Sequence, residues 1–373
     1  MSKRVVLGMS GGVDSSLAAY LLQEQGYEVI GLFMRNWVEE DENGCCTAEE
    51  DYSDVRSVAN TIGIPYYTVD FSKEYYDRVF KLFVDEYSKG RTPNPDVLCN
   101  KEIKFDSFVH YAMQLEADYI ATGHYCNIKH EGDKHYLMRA VDENKDQTYF
   151  LNQVTAKQLE RVLFPIGNLN KSEVRSLAAK YGLSTAGKKD STGVCFIGER
   201  NFRNFLSQYI PMKKGEIRTL DGIVVGEHDG VYYYTIGQRK GLGVGGVSFN
   251  HDGGRWFVAA KDVENNILYV SQGDQSMLYA RELVTDGFNF INGKPDRSEF
   301  RAMARIRHRQ PLQNVTAYVE DNGDVRVVFD EKQRAIVEGQ YVALYDGEIC
   351  LGGGVINSVP DRDPRCILSN LRK

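Results

Sequence analysis

Much that would place this 373-residue chain in a familiar class is missing from it. No apolar run approaches the ~18 residues a membrane-crossing helix needs, and Met1-Ser-Lys-Arg leads straight into a strand-like run with neither an apolar leader nor an Arg-rich amphipathic presequence. The expectation is a cytoplasmic protein with no membrane partner. Seven cysteines are scattered without Cys-x-x-Cys spacing, which argues against a secreted disulfide framework and a zinc ribbon. Basic residues are in deficit, and a net charge of -7 excludes indiscriminate polyanion binding. Proline is scarce, low-complexity tracts and fixed-period repeats are absent, and the 42% hydrophobic, 26% charged composition is that of a globular chain long enough for two or three domains.

What is present begins at residue 4. Arg4-Val5-Val6-Leu7-Gly8 reads as a strand, Met9-Ser10-Gly11-Gly12-Val13-Asp14-Ser15-Ser16 as a turn, and Leu17 to Gln25 as an apolar-periodic helix. Paired glycines admit an oxyanion close to backbone amides, serine hydroxyls add donors, and the helix start adds a favourable dipole end. The turn lacks both the Gly-Lys-Ser/Thr ending of a nucleotide P-loop and the third glycine of a dinucleotide fingerprint. Strand-like runs at Tyr27–Met34, Pro65–Asp70 and Ala117–Gly123 alternate with helical segments at about 48–62, 75–87 and 106–115. That alternation predicts an α/β domain with a doubly wound parallel sheet, its ligand outside the carboxyl ends of the strands. Helices near Ala156–Leu163 and Lys171–Tyr181 complete it.

After Pro211-Met-Lys-Lys-Gly215 the texture changes to short Val/Tyr/Phe/Ile runs separated by Asp-Gly and Asn-Gly turns, which predicts antiparallel β structure. The expected organisation is a catalytic domain over 1–210, a small central α+β domain over 211–280 and a C-terminal β-barrel over 281–373. The acid-rich stretch Glu39–Asp54 reads as a solvated loop and helix start. Arg301, Arg305, Arg307 and Arg309 fall on one face if their segment is a strand, giving a basic stripe suited to a shaped RNA or to solvent.

Two cysteines differ from the rest in context. Cys99 lies in Arg91-Thr-Pro-Asn94-Pro95-Asp96-Val-Leu-Cys99-Asn-Lys101, read as a proline-stiffened loop flanked by bases, and Cys195 lies in the lysine-flanked, polar segment 188–198. Nearby cations favour thiolate over thiol, the condition for a reactive cysteine, although a buried inert thiol satisfies the same local sequence. Cys126, Cys350 and Cys366 lack adjacent lysine, and the acids beside Cys45-Cys46 disfavour the thiolate there. Asp96 is compatible with a proton shuttle three residues from Cys99 and with a turn-forming Asp after proline.

The turn Ser10–Ser15 resembles the PP-loop of ATP pyrophosphatases, which split ATP between its α and β phosphates. The segments 90–105, 121–125, 144–151, 189–200, 237–243 and 351–354 resemble the bacterial tRNA-specific 2-thiouridylases, over residues 4 to about 356. That resemblance implies a sulfurtransferase: ATP adenylates O2 of the wobble uridine in tRNAs for Lys, Glu and Gln, and a persulfide sulfur then replaces the oxygen. It implies ATP contacts at Gly8, Met9, Ser10, Gly11, Gly12, Val13, Asp14, Ser15, Met34 and Gly123. Catalytic roles fall on Cys99, Cys195 and Asp96, with a Cys99–Cys195 disulfide left after transfer. Contacts with tRNA are implied for Asn94, Pro95, Asp96, His124, Lys145, Asp146, Gln147, Arg307, His308 and Gln340. Mg²⁺ would accompany ATP without a dedicated protein cage, and a sulfur carrier or cysteine desulfurase would deliver the persulfide.

Overall fold

A computed structural model describes residues 2–37, 47–190, 202–244 and 254–362. The first sheet is parallel, in the order β3-β2-β1-β4-β7, from β1 (Arg4–Met9), β2 (Glu28–Arg35), β3 (Tyr66–Asp70), β4 (Tyr119–Thr122) and β7 (Val162–Leu163). Strand alternation sends Val5, Leu7 and Met9 into one core with Leu17, Ala18 and Leu22 of α1 (Val13–Glu24) and Val55 and Val58 of α2 (Thr47–Ile62). Val6, Ile30 and Leu32 point the other way, among Val79, Phe80, Phe83 and Phe108. Both faces of the sheet are therefore covered, which is why β1 is apolar at consecutive positions.

The middle sheet has the order β10-β11-β8-β9, from β8 (Gly215–Thr219), β9 (Val224–His228), β10 (Trp256–Asp262) and β11 (Ile267–Gln272). Its β8–β11 pair is parallel, a departure from the antiparallel expectation that the intervening residues make possible by returning the chain to the same edge. A six-stranded antiparallel barrel follows, from β12 (Tyr279–Phe290), β13 (Glu299–Arg305), β14 (Gln313–Val319), β15 (Val325–Arg334), β16 (Tyr341–Asp346) and β17 (Ile349–Ser358), closed by β12–β17 pairing. The hairpin of β5 (Cys126–Glu131) and β6 (Lys134–Arg139) leaves the first domain and extends this sheet, Ile349 and Cys350 of β17 pairing with Met138 and Leu137.

Three local expectations are corrected. The segment around Cys99 is a helix rather than a loop: Pro95–Cys99 is α-helical, a π-helical stretch runs from Asn100 to Ser107, and Phe108–Gln114 continues the helix. Its start is chemically marked, since the Asn94 side chain accepts a hydrogen bond from the Val97 amide at 3.3 Å and Pro95 needs no donor partner in the first turn. The helix expected over 156–163 stops at Leu159 after a Thr155/Gln158 capping box, and Val162–Leu163 pairs with β4 instead. The basic stripe does not form one solvent-facing strand. β13 ends at Arg305, which is 2% exposed and faces inward, whereas Arg301 is exposed and paired with Asp330 at 2.6 Å.

Candidate active site

The turn between β1 and α1 opens onto the start of a helix, whose first-turn amides have no acceptor within the helix itself. Gly11 has φ +73°, and a Cβ there would lie 2.6 Å from the Asp51 carbonyl oxygen, so only glycine fits. Gly12 is the N-cap of α1 and offers no side-chain cap, so the first-turn amides are not occupied by one. The serines brace the turn: Ser16 Oγ donates to Gly12 O at 2.8 Å, and the Ser10 amide donates to Ser15 Oγ at 3.2 Å. Gly123, just past β4, packs so tightly on the helix start that a Cβ would meet Ser15 N at 2.7 Å. Gly8 lies under Met34, whose Cε would be 3.1 Å from an added Cβ, and near Phe108. Gly8, Met34 and Gly123 thus converge on the turn, as the alternating topology requires.

Asp14, in the first turn, accepts hydrogen bonds from Tyr125 Oη at 2.8 Å and from Lys171 Nζ at 2.7 Å. Lys171 also reaches Asp190 at 3.0 Å, and Asp190 pairs with Lys145 at 2.6 Å and Arg175 at 2.7 Å. Burial opposes ionisation of Asp190, but Lys145 and Lys171 outweigh it and hold the carboxyl far below the usual range. Burial, reinforced by Asp14, keeps the Tyr125 phenol protonated. Lys188 bonds Asp51 at 2.8 Å and also Asp54, so part of the acid-rich stretch is anchored to the base of the Cys195 segment. Lys171 lies in none of the family-like segments, and the charge and placement it shares with Asp190 and Tyr125 emerge only when three distant segments meet.

Cys99 ends the helix Pro95–Cys99, 2% exposed and packed in the core with Val97, Leu98 and Ile103. Phe108, farther along the same helical run, is the residue that approaches Gly8. A second link is Lys104, which faces both Asp96 and His124. Burial pushes the Asp96 carboxyl up, with Lys104 pulling it back, and burial with Lys104 pushes His124 well down, so the imidazole is neutral near pH 7. His124 shares a 2.8 Å hydrogen bond with Thr122 Oγ1. Cys126 and Cys350 are fully buried, and burial raises both thiols, Cys350 to about 12. Cys195 lies outside the described residues, as do Cys45, Cys46 and Cys366.

The segment before Asp96 is held from the barrel. Gln340 Nε2 donates to the Thr92 carbonyl at 2.8 Å and the Pro93 carbonyl at 3.2 Å, while its Oε1 accepts from Asn94 Nδ2 at 3.3 Å. The Thr92 amide donates to Glu338 O at 2.9 Å, and Arg91 donates to Asn357 Oδ1 at 3.0 Å. His308 Nε2 lies 3.1 Å from the Asp146 carbonyl oxygen, its ring against Phe150. Arg307 donates to the carbonyls of Arg334, at 3.2 Å, and Ala335. Gln147 Oε1 accepts from the Tyr125 amide at 2.9 Å, tying this layer to the glycine turn through the residue that bonds Asp14.

Asp146 stands apart from that set, with no exposed surface. Its carboxylate faces Arg305 at 3.0 Å and Arg139 at 3.7 Å and accepts from Thr148 Oγ1 at 3.0 Å, so it works inside the protein. A shallow cavity of about 380 Å³ lined by Asn127, Met138, Arg139 and Glu348 lies at the hairpin and contains none of the residues placed around the turn.

Family models match in three consecutive blocks: a tRNA methyl transferase HUP domain over residues 3–199, a tRNA methyl transferase PRC-barrel domain over 203–272 and an aminomethyltransferase beta-barrel domain over 280–356. Curated relatives include the tRNA-specific 2-thiouridylase MnmA of Alkaliphilus oremlandii, 56% identical over 95% of this chain and 97% of that one. Those of Exiguobacterium sibiricum and Listeria innocua are each 57% identical over 95% of this chain, and 93% and 95% of their own lengths. The methyl transferase wording belongs to the domain models, while the full-length relatives are named for thiolation, and identity across whole chains is the more specific of the two. On that basis this chain belongs to the tRNA-specific 2-thiouridylase family.

Proposed function

We propose that this chain is an ATP-dependent tRNA-uridine 2-sulfurtransferase acting on the wobble uridine of tRNAs for Lys, Glu and Gln. The observation that carries the mechanism is the open first turn of α1 beside a helical run that bears Asp96, Cys99 and, against Gly8, Phe108. The residues fit a nucleoside triphosphate: at Gly11 and Gly123 a Cβ would collide with backbone, Gly12 begins the helix without a side-chain cap, and the helix start favours negative charge. Gly8 to Ser15 would hold the phosphates, with Met34 and Gly123 shaping the remainder of the site. Mg²⁺ would neutralise phosphate charge largely through phosphate oxygens and water.

A urea-like carbonyl is a poor electrophile with a poor leaving group. Attack by uridine O2 on the α-phosphate expels pyrophosphate and leaves an adenylated oxygen that departs later as AMP. The terminal sulfur of a Cys195 persulfide then bonds to C2. Cys99 bonds to the inner sulfur as the S–S bond of the persulfide breaks, so two protein thiols are oxidised to a disulfide while the transferred sulfur is reduced. An external dithiol restores both. Asp96, whose carboxyl burial pushes up against the opposing pull of Lys104, is suited to moving a proton at the base, and Asn94 and Pro95 with the Gln340, His308 and Arg307 layer would receive the splayed anticodon loop. Because Cys99 is 2% exposed, sulfur transfer in this reading follows a rearrangement of its segment on RNA binding. The persulfide would come from a carrier protein or a desulfurase in the cytoplasm. Among the described residues no helix is long and apolar enough to cross a membrane.

The test is Cys195→Ser, assayed with tRNA, ATP and a persulfide donor. Thiolation should vanish while tRNA-dependent pyrophosphate release continues; retained thiolation removes the persulfide role, and loss of 2-thiouridine from the tRNA of cells lacking the protein checks the reaction itself.

A further inference from the structure

The middle sheet has no residue in the chemistry described so far, yet one of its side chains reaches the segment that leads to Asp96 and Cys99. Lys261, near the end of β10, donates from Nζ to the Gly90 carbonyl and, at 3.0 Å, to the Tyr234 carbonyl. Its stem is partly exposed, but its ammonium is enclosed, and burial pushes it down to about 8, with Glu338 of the barrel opposing that shift. An ammonium is costly to enclose, so its two carbonyl partners and the facing carboxylate hold it in a demanding position. The same point is sterically tight. Gly90 has φ +77°, and a Cβ there would lie 2.4 Å from Cγ2 of Val263, two residues beyond Lys261. Thr92 Oγ1 lies 3.3 Å from Thr235 Oγ1, a further bond from the middle domain to this segment.

We propose that Lys261 is a positioning residue for thiolation: it fixes the Gly90 carbonyl and so sets where the Arg91–Cys99 segment begins, giving the middle sheet a part in catalysis at a distance. This rests on the reading of Asp96 and Cys99 as catalytic. The barrel fixes the same segment two residues later through the Glu338 carbonyl and the Thr92 amide. Gly90 to Asn94 is therefore a strap held by two sheets that do not carry the nucleotide turn. A strap fixed at both sides places a thiol reproducibly, and a displacement of about 1 Å is enough to lose two orders of magnitude in rate.

The experiment uses the full chain with tRNA, ATP and a persulfide donor. Lys261→Met, close in shape but without donors, should lower kcat for thiolation at least tenfold while KM for ATP stays within twofold and amide exchange rises selectively in peptides covering 91–99. Gly90→Ala should do the same from the other side of the contact, and the double variant should be no worse than the poorer single one. A kcat within twofold of the parent in a folded Lys261→Met overturns the inference. If Lys261→Met unfolds the middle sheet, seen as exchange throughout β8–β11, Gly90→Ala decides: normal kcat overturns the inference, and loss with unchanged KM for ATP supports it. Cys99→Ser run alongside separates the two levels. Full thiolation by that variant overturns the reading of the segment, whereas lost thiolation there with intact kcat in Lys261→Met overturns only the role of Lys261.

Discussion

The glycine turn and the thiol-bearing segment are built in opposite ways. Ser10 to Ser16 brace their turn largely with their own backbone and hydroxyls, with Asp51 and Gly123 in close backbone contact and Asp14 bonded to Tyr125 and Lys171. Arg91 to Cys99 owe their position to distant residues: Lys261, Glu338, Gln340 and Asn357 hold the approach, and a core of aromatic and aliphatic side chains encloses the thiol. The first arrangement suits a ligand that is recognised by backbone amides and needs no motion of the protein. The second suits a reactive group that must be kept from solvent until its substrate arrives, at the cost of depending on every sheet in the molecule.

The widest gap between the two regions should appear with Cys99→Ser. This change removes one sulfur from a buried site and adds no volume, so the fold and ATP affinity should persist while thiolation falls below about a thousandth of the parent rate. Measured by tRNA mass spectrometry alongside ATP binding, a thiolation rate above a tenth of the parent value would break the comparison. A parallel reading comes from iodoacetamide: in the absence of tRNA the modification of Cys99 should be slow, because the thiol is 2% exposed.

Gly123→Ala probes the other region and should act on ATP rather than on the thiol. The new methyl would meet the Ser15 amide nitrogen at 2.7 Å and the Asp14 carbonyl carbon at 2.9 Å, and backbone does not yield as a side-chain tip does. Displacing the start of α1 should weaken ATP binding about a hundredfold, a change of roughly 2.7 kcal/mol, with amide exchange over 91–99 little altered. Gly132→Ala is the control, since a Cβ there meets nothing within 4 Å although φ is +58°. It should cost about 1 kcal/mol of stability and leave ATP binding unchanged.

The same contrast separates the features that the amino-acid sequence makes legible from those it hides. The strand, the glycine turn and α1 are legible because their determinants are contiguous: apolar run, paired glycines, periodic helix. The helix at Pro95 is marked by Asn94 and Pro95 themselves, and it reads as a loop only when the two nearby prolines are weighed above the capping pattern to which Pro95 belongs. The inward turn of Arg305 is not legible at all. Strand periodicity assigns residues to faces, but it does not say that Asp146, from a connection more than 150 positions earlier, lies opposite at 3.0 Å. Lys261, Lys171 and the β5–β6 hairpin belong with Arg305, since each is defined by a partner far away in the chain. The positions of Asn94, Gln147, His308 and Gln340 follow from family resemblance, and the geometry gives each of them an internal hydrogen bond that local sequence does not foretell.

The smallest expected effect is at Arg307, where the two modes of construction overlap. Its guanidinium donates through one nitrogen to the carbonyls of Arg334 and Ala335, and burial with the neighbouring Arg334 pushes it below its usual range. The fork carries five N–H groups, so a guanidinium anchored through one nitrogen retains donors for a phosphate. Arg307→Ala should weaken tRNA binding by no more than about tenfold, leave KM for ATP unchanged, and lower the slope of log affinity against log salt by about 0.7, the share of one phosphate contact on a single strand. Affinity titrations between low and moderate salt distinguish the outcomes. A weakened affinity with an unchanged slope would mean that Arg307 serves only to hold the turn after β15, and would move it from the proposed RNA-facing layer to the same class of long-range brace as Arg305.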